Sequence, residues 1–110
     1  MDATISVPEL ERMRKAGTPF LLLDVRRQGD FDVDDVMIPG ARRADPEHLD
    51  DWSRSLDREK PVVIYCVRGG SVSQSVSASL IERGFRVRYV DGGITAWKTQ
   101  GGVGVPKASV

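Results

Sequence analysis

The sequence predicts an α/β fold in which helices cover both faces of a mostly parallel sheet. Short apolar runs typical of buried strands alternate along the chain with segments of helical periodicity. Successive parallel strands need crossover connections, and these connections place helices on the two faces of the sheet. With 110 residues and an apolar fraction of 40%, the chain can bury one modest core. We therefore expect a single domain over residues 1–110.

The N-terminal third predicts a helix, a strand and a second short helix. Ser6 is a suitable N-cap, and Glu9 stands three residues later as in a capping box. Gly17 is placed to end this helix. The continuous apolar run Phe20–Val25 is expected of a strand that is covered on both faces. The polar and acidic segment Gln28–Asp35 is then predicted as a short helix and loop.

The middle of the chain predicts one more helix followed by the clearest strand. Asp45 is a suitable cap, and Pro46 fits the first helical position, so a helix is expected from there to about Leu56. The segment Pro61–Cys66 is β-branched, aromatic and uninterrupted, as expected of a central strand. The pair Arg42–Arg43 is interpreted as solvated surface.

The C-terminal part predicts a long helix, a strand and a last short helix. Ser71–Arg83 carries apolar residues at helical spacing, and Gly84 would close the helix. Arg86–Val90 is half polar and is therefore expected nearer an edge of the sheet. A turn leads into a short helix around Trp97. The glycine-rich tail, about residues 102–110, lacks periodicity and is expected to be flexible.

The lone cysteine stands where a strand gives way to a helix. Cys66 ends the strand, and Gly69 and Gly70 precede the helix. Because glycine tolerates positive φ, backbone N–H groups can turn inward as an anion-binding nest, and the helix N-terminus adds its positive dipole. Such surroundings favour a thiolate, and Arg68 adds a cation suited to an oxyanion. The segment predicts an activated sulfur facing an anion pocket at the carboxyl end of the sheet.

Cys66 also has a simpler interpretation as a small buried hydrophobic residue. The following glycines and the start of a helix favour the reactive interpretation. As the only cysteine, it cannot form an internal disulfide. His48 is the only histidine, so no zinc site can be built from cysteine and histidine alone. We expect no metal and no cofactor, and we expect His48 at the surface rather than acting as a base.

Four short segments stand in order along the chain: Leu23–Arg26, Ile38–Ala41, Cys66–Ser71 and Asp91–Trp97. Together they resemble motifs of the rhodanese-like sulfurtransferase family, and the resemblance covers nearly the whole chain. The third resembles the family's six-residue active-site loop, Cys-x-x-Gly-x-(Ser/Thr or Arg). One departure is Val36-Met37, where the family commonly has Gly-His. A finer likeness to rhodanese-like domains found with chromate-resistance proteins lies in Asp24–Arg27, Ala44–Glu47 and Val72–Gln74.

The resemblance implies a three-layer α/β/α rhodanese-like fold with a central, mostly parallel sheet of about five strands. It also implies a thiosulfate sulfurtransferase activity. Cys66 would take a sulfane sulfur from a thiosulfate-like donor, hold it as a persulfide, and pass it to a thiophile. The thiophile is cyanide in an assay and a thiol in the cell. Ping-pong kinetics are expected for such a two-step covalent cycle.

The resemblance also implies roles for individual residues. Loop N–H groups from Val67 through Gly69 and Gly70 to Ser71 would stabilise the persulfide, and Arg68 would bind the sulfonate end of the donor. The Ser71 hydroxyl would donate to the sulfur anion or cap the following helix. Arg26 is expected near the pocket, with an ion pair to Asp24 as the favoured alternative. Asp24 is expected to brace loops by accepting backbone hydrogen bonds.

Composition limits the expected partners. The 16 basic residues balance 16 acidic ones, so no global field points to nucleic acid or to an anionic membrane. The N-terminus has no apolar segment of the signal-peptide kind, and no apolar run approaches the length of a membrane span. We expect a cytoplasmic monomer or weak dimer that meets a small anionic sulfur donor and a thiol or protein acceptor.

Two other functions use the same cysteine. Cysteine phosphatases and arsenate reductases have an arginine six positions after the cysteine, and this chain has Val72 there. We therefore rank these enzymes low. A non-catalytic rhodanese-like module that senses oxidants or binds a partner would also use an accessible, reactive thiol. Catalytic turnover separates this sensor from the enzyme.

Overall fold

The predicted α/β architecture is confirmed by a computed structural model, which describes residues 3–107. The central sheet has five parallel strands: β1 (Thr4–Ile5), β2 (Leu21–Asp24), β4 (Arg42–Arg43), β5 (Val62–Tyr65) and β6 (Val87–Val90). Their order across the sheet is β1-β6-β5-β2-β4. A separate antiparallel pair consists of β3 (Val36–Met37) and β7 (Val105–Pro106).

Helices cover both faces of the sheet, which gives the expected three layers. The helices are α1 (Val7–Lys15), α2 (Gln28–Asp32), α3 (Leu49–Ser53), α4 (Ser71–Glu82) and α5 (Gly93–Thr99), with a 3₁₀ turn over Pro46–His48. Within residues 3–107, none of them is both long and apolar enough to cross a membrane.

The strand β5 divides the hydrophobic core into two clusters. Val62, Ile64 and Cys66 point to the side of α3 and α4, because successive side chains of a strand alternate between the faces. Val63 and Tyr65 point to the other side, where they pack with apolar residues of α1 and α5. Burial on both faces explains why this segment is an uninterrupted apolar run.

The predicted helix boundaries follow from local hydrogen bonds. The N-cap Ser6 accepts from the Glu9 N–H through its hydroxyl at 3.2 Å, which confirms the predicted start of α1. Asp45 caps the 3₁₀ turn in the same way, by accepting from the Glu47 N–H at 2.9 Å. Gly84 has a φ of +91° just beyond α4, as expected for a residue that closes a helix.

The expected position of β6 is confirmed, because it lies one strand in from an edge of the sheet. The edge itself is β1, whose Thr4 and Ile5 pair with Tyr89 and Val90. A two-residue strand carries no periodic signal, so the sequence did not reveal β1.

The interpretation of the pair Arg42–Arg43 as solvated surface is wrong for Arg43. Its guanidinium lies 4.3 Å from the centre of the Phe31 ring and donates to the Asp24 carbonyl at 3.1 Å.

The C-terminal tail, about residues 102–110, is predicted to be flexible, but strand pairing and hydrogen bonds hold part of it. Val105 pairs with Met37 in the antiparallel sheet, and the Lys107 N–H donates to the Asp35 carbonyl at 3.0 Å. Gly102 packs directly against the Trp97 indole, where a Cβ atom would overlap the ring. These contacts hold residues 102–107 on the domain, whereas residues 108–110 lie outside the described part of the chain.

A buried ionic network ties the end of β2 to β5. Asp24 and Tyr65 are fully buried, and the Tyr65 hydroxyl donates to Asp24 Oδ2 at 2.9 Å. The same hydroxyl accepts from the Ile38 N–H at 3.2 Å. Burial, with the adjacent Asp24 carboxylate, raises the pKa of Tyr65 well above its ordinary value. The phenol therefore stays protonated and keeps both hydrogen bonds.

We expect Tyr65→Phe to lower the free energy of unfolding by about 1–3 kcal/mol, because it leaves the buried Ile38 N–H without a partner and removes one donor from the buried Asp24 carboxylate. Urea denaturation measures the change. Tyr89→Phe is the matched control, since Tyr89 lies on the neighbouring strand and is only half-buried. Equal losses in the two variants would contradict the role given to the Tyr65 hydroxyl.

Candidate active site

The lone cysteine lies directly after β5, at the carboxyl edge of the parallel sheet. Cys66 is 5% exposed, and a loop of four residues, 67–70, connects it to the first residue of α4. In open parallel sheets this edge is where ligands bind. The apolar strand thus places the Cys66 thiol at the rim of the core.

The loop after Cys66 presents unused backbone donors. The N–H groups of Val67 to Ser71 donate to no acceptor found among residues 3–107. Gly69 has a φ of +72°, a conformation that side chains disfavour, and Gly70 is the N-cap residue of α4. Free donors at the N-terminus of a twelve-residue helix form a suitable environment for an anion.

The N-terminal end of α5, which begins at Gly93, holds this loop in place. The N–H groups of Ile94 and Thr95 donate to the carbonyls of Cys66 and Val67, each at 3.0 Å. This approach is possible because Gly93 has no side chain: a Cβ there would lie 2.5 Å from the Cys66 oxygen and 2.4 Å from the Val67 oxygen. Close contact with the cysteine loop therefore explains why residue 93 is a glycine.

A cavity of about 410 Å³ opens beside Cys66. Of the predicted site residues it brings together Cys66, Val67, Arg68, Gly70 and Ser71. Gly69 lies behind the cavity, where a Cβ would be 2.9 Å from the Val90 carbonyl oxygen and 3.0 Å from the Gly92 nitrogen. Gly69 therefore serves the turn and the packing of the loop.

Arg26 does not line this cavity, and its neighbour Arg27 does. The Arg26 side chain is 1% exposed and donates to Asp24 Oδ2 at 2.6 Å and to Asp34 Oδ2 at 2.9 Å. Burial lowers the pKa of Arg26, but the hydrogen bonds and charge of Asp24 outweigh this effect and raise it overall. The ion pair favoured as the alternative for Arg26 is thus present, and Asp24 also accepts from the Arg26 N–H as expected.

The cavity contains two exposed cations and one acid. Arg27 and Arg68 are exposed, and neither guanidinium has a hydrogen-bonding or ionic partner within residues 3–107. Asp30, from the first turn of α2, supplies a carboxylate on the same wall. The net positive charge of the three groups suits an anionic ligand.

Sequence reasoning missed Arg27 and Asp30 as cavity residues. The one signal was the adjacent pair Arg26–Arg27, but the sequence alone does not indicate which of the two side chains faces the cavity. Arg27 has an extended backbone, with a φ of −60° and a ψ of 153°. Adjacent side chains in extended backbone point in opposite directions, so one arginine turns into the core and the other toward the cavity.

Two other expectations concern side chains near the loop. Ser71 does not cap α4, because the cap residue is Gly70 and no side chain accepts a hydrogen bond there. Ser71 lies in the wall of the cavity instead. His48 is exposed in the 3₁₀ turn and is not among the residues that line the cavity.

Comparisons with known proteins agree with the observed fold. A model of the rhodanese-like domain matches residues 6–100. The thiosulfate sulfurtransferase GlpE of Coxiella burnetii is 38% identical over 79 residues, which are 71% of this chain and 71% of that protein. The putative sulfurtransferase YtwF of Bacillus subtilis is 34% identical over 86% of this chain and 88% of its own length. A rhodanese-related protein of Thermoplasma volcanium superposes with a TM-score of 0.79 at 24% identity, covering 93% and 96% of the two chains.

We expect Gly93→Ala to destabilise the domain by more than about 2 kcal/mol, because it combines a positive φ with overlap against two carbonyl oxygens. Gly70→Ala is the matched control from the cysteine loop, since Gly70 has no positive φ and a Cβ there meets nothing within 4 Å. Chemical denaturation of both variants measures the effect. Similar stabilities would show that the loop can move away from α5 without cost.

Proposed function

Since this chain belongs to the rhodanese-like domain family, we propose that it is a sulfurtransferase that carries a sulfane sulfur as a persulfide on Cys66. One observation carries the proposal. The only cysteine of the chain lines a cavity with backbone donors and two arginines that have no partner within residues 3–107. Relatives that are named sulfurtransferases, at 34% and 38% identity, support the same class of reaction.

In the first half-reaction, the Cys66 thiolate attacks the outer sulfur of thiosulfate. A sulfur–sulfur bond to Cys66 Sγ forms, and the bond to the sulfonate sulfur breaks with its electron pair leaving on sulfite. Arg68 and Arg27 lie on the cavity wall where they can bind the sulfonate oxygens, because guanidinium groups pair well with oxyanions. The donor N–H groups of Val67 to Ser71 can then stabilise the charge of the persulfide.

In the second half-reaction, a thiophile attacks the outer sulfur of the persulfide. The bond to Cys66 Sγ breaks, and its electron pair restores the thiolate. Cyanide gives thiocyanate, and a thiol gives a new persulfide. The cycle needs no histidine if the loop holds the cysteine as a thiolate, which fits the exposed position of His48.

The cavity wall favours sulfur transfer over phosphoryl transfer. Val72 stands six positions after the cysteine, in the wall of the cavity, where the cysteine phosphatases have an arginine. An isopropyl side chain has no donors, so it cannot bind a tetrahedral oxyanion as a bidentate guanidinium does.

We expect the intact mass of the protein to rise by one sulfur atom after treatment with thiosulfate. Cyanide should remove the added sulfur, and the Cys66→Ala variant should never acquire it. Multiple turnovers with thiocyanate release would distinguish the enzyme from a stoichiometric sensor. A protein that accepts no sulfur from any sulfane donor, or that hydrolyses p-nitrophenyl phosphate through Cys66, would overturn the proposal.

We expect Arg68→Ala to raise the KM for thiosulfate about tenfold or more, because a charge-assisted hydrogen bond to an anion is worth roughly 1.5–3 kcal/mol. The rate of persulfide discharge by cyanide should change much less. Arg54→Ala is the control, since Arg54 is an exposed arginine outside the cavity. Equal effects on both half-reactions would indicate that Arg68 shapes the loop instead of binding the donor.

A further inference from the structure

The segment that follows α5 runs back to the neighbourhood of α2. Residues 103–107, here called the strap, include the strand β7 and pair with β3 in the antiparallel sheet. Gly104 lies so close to β3 that a Cβ atom there would be 2.7 Å from the Val36 Cβ atom. The Lys107 N–H donates to the Asp35 carbonyl at 3.0 Å. These contacts fix the course of the strap along the segment that follows α2.

The Lys107 side chain of the strap contacts α2 at Phe31. Its Nζ donates to the Phe31 carbonyl and lies 4.4 Å from the centre of the Phe31 ring. The Arg43 guanidinium lies 4.3 Å from the same ring centre. A cation within about 6 Å of an aromatic ring is attracted by the negative charge of its face. Phe31 is therefore held by one cation from the strap and by another from β4.

The helix α2 depends on such contacts, because it cannot be stable by itself. It has five residues and buries none of them. Isolated helices shorter than about 12–15 residues are only marginally stable in water. Phe31 belongs to neither of the two hydrophobic clusters found among residues 3–107. The cations around Phe31 therefore contribute to where α2 lies.

Phe31 is linked directly to Arg27, the N-cap residue of α2. The Phe31 N–H donates to the Arg27 carbonyl at 2.9 Å, which is the first hydrogen bond of the helix. The Arg27 side chain lines the Cys66 cavity and an adjoining cavity of about 740 Å³. Its guanidinium has no partner within residues 3–107, so the region that it reaches is set by its backbone. A displacement of α2 would therefore move this cation relative to Cys66.

We propose that the strap positions Arg27 for the sulfur donor, with Lys107 as the positioning residue. Lys107 holds the carbonyl and the ring of Phe31, and Phe31 closes the first turn of α2. This turn places the Arg27 guanidinium in the wall of the Cys66 cavity. The inference rests on the proposed function, because it assigns Arg27 to the sulfonate of thiosulfate.

The loop after α2 has its own anchor, so loss of the Lys107 contact should act locally. Asp34 Oδ2 accepts from the Arg26 guanidinium at 2.9 Å and from Lys98 Nζ at 2.6 Å. Asp34 Oδ1 accepts from the Val36 N–H at 3.2 Å. These bonds keep the loop on the domain when Lys107 is replaced. The first turn of α2 gains freedom, whereas the sheet and the cysteine loop keep their contacts.

The test follows the two half-reactions separately by intact mass: loading of Cys66 by thiosulfate and discharge by cyanide. Lys107→Met keeps an unbranched side chain but removes the charge and the donor. We expect its second-order rate constant for loading to fall roughly threefold or more, because a misplaced binding group weakens the orientation of the donor. The rate constant for discharge should change much less.

Two further variants are matched to Lys107→Met. Lys107→Arg keeps both a cation and a donor, and it should retain most of the loading rate. Lys60→Met makes the same replacement at an exposed lysine that lines neither cavity, and it should change neither half-reaction.

A double-mutant cycle shows whether Lys107 acts through Arg27. Arg27→Ala should itself slow loading, because it removes the guanidinium that Lys107 is proposed to position. In the Arg27→Ala background, Lys107→Met should then cause no further loss, since two changes that act through one group are not additive. A general destabilisation of the domain would instead give additive losses.

Hydrogen exchange provides a readout that does not depend on sulfur transfer. A peptide covering residues 27–33 contains the Phe31 N–H that closes the first turn of α2. It should exchange faster in Lys107→Met than in the wild-type protein, because a less restrained helix opens more often. A peptide covering residues 7–15, the helix α1, should exchange at the same rate in both proteins.

The outcomes separate the two proposals. Failure of the wild-type protein to load any sulfur would overturn the proposed function and the role given to Lys107 with it. Normal loading, with equal rate constants in the wild-type protein and Lys107→Met, would overturn the role of Lys107 alone. Equal losses in both half-reactions, additive losses with Arg27→Ala, or unchanged exchange over residues 27–33 would also do so.

Discussion

The shape of the candidate site depends on the contact between the backbone of α5 and the loop that follows Cys66. Two N–H groups at the start of α5 bind the carbonyls of Cys66 and Val67, and Gly93 has no room for a side chain between them. With these carbonyls bound to α5, the N–H groups of residues 67–71 have no acceptor within residues 3–107. The conformation of the cysteine loop therefore depends on a glycine twenty-seven residues away from Cys66 in sequence.

A buried ionic network fixes the other wall of the site. The Asp24 carboxylate accepts hydrogen bonds from the Arg26 guanidinium, the Arg26 backbone N–H and the Tyr65 hydroxyl. These buried donors lose contact with water together, and each has the same carboxylate as a hydrogen-bond partner. Removing one partner of such a network leaves an unpaired buried charge, which is far more costly than losing a surface pair. The network holds Arg26 inward, and this orientation turns Arg27 toward the cavities. A structural ion pair thus determines which arginine is available to a ligand.

Much of the fold could be predicted because its long elements carry strong local signals. The apolar run of β5, the caps at Ser6 and Asp45, and the helix after the cysteine all follow from residues within one or two turns. The two-residue strands β1 and β7 could not be predicted, since their pairing depends on partners distant in sequence. The same distinction applies to the candidate site. Cys66 and its loop could be predicted from neighbouring residues, whereas three-dimensional packing determines which of Arg26 and Arg27 faces the cavity.

The arrangement of charges also bears on the order of events at Cys66. Arg27 lines both the cavity beside Cys66 and an adjoining cavity of about 740 Å³, so anions bound in the two cavities would compete for the same guanidinium. In the proposed cycle the sulfonate of the donor leaves as sulfite before the acceptor reacts, and its departure would free this guanidinium again.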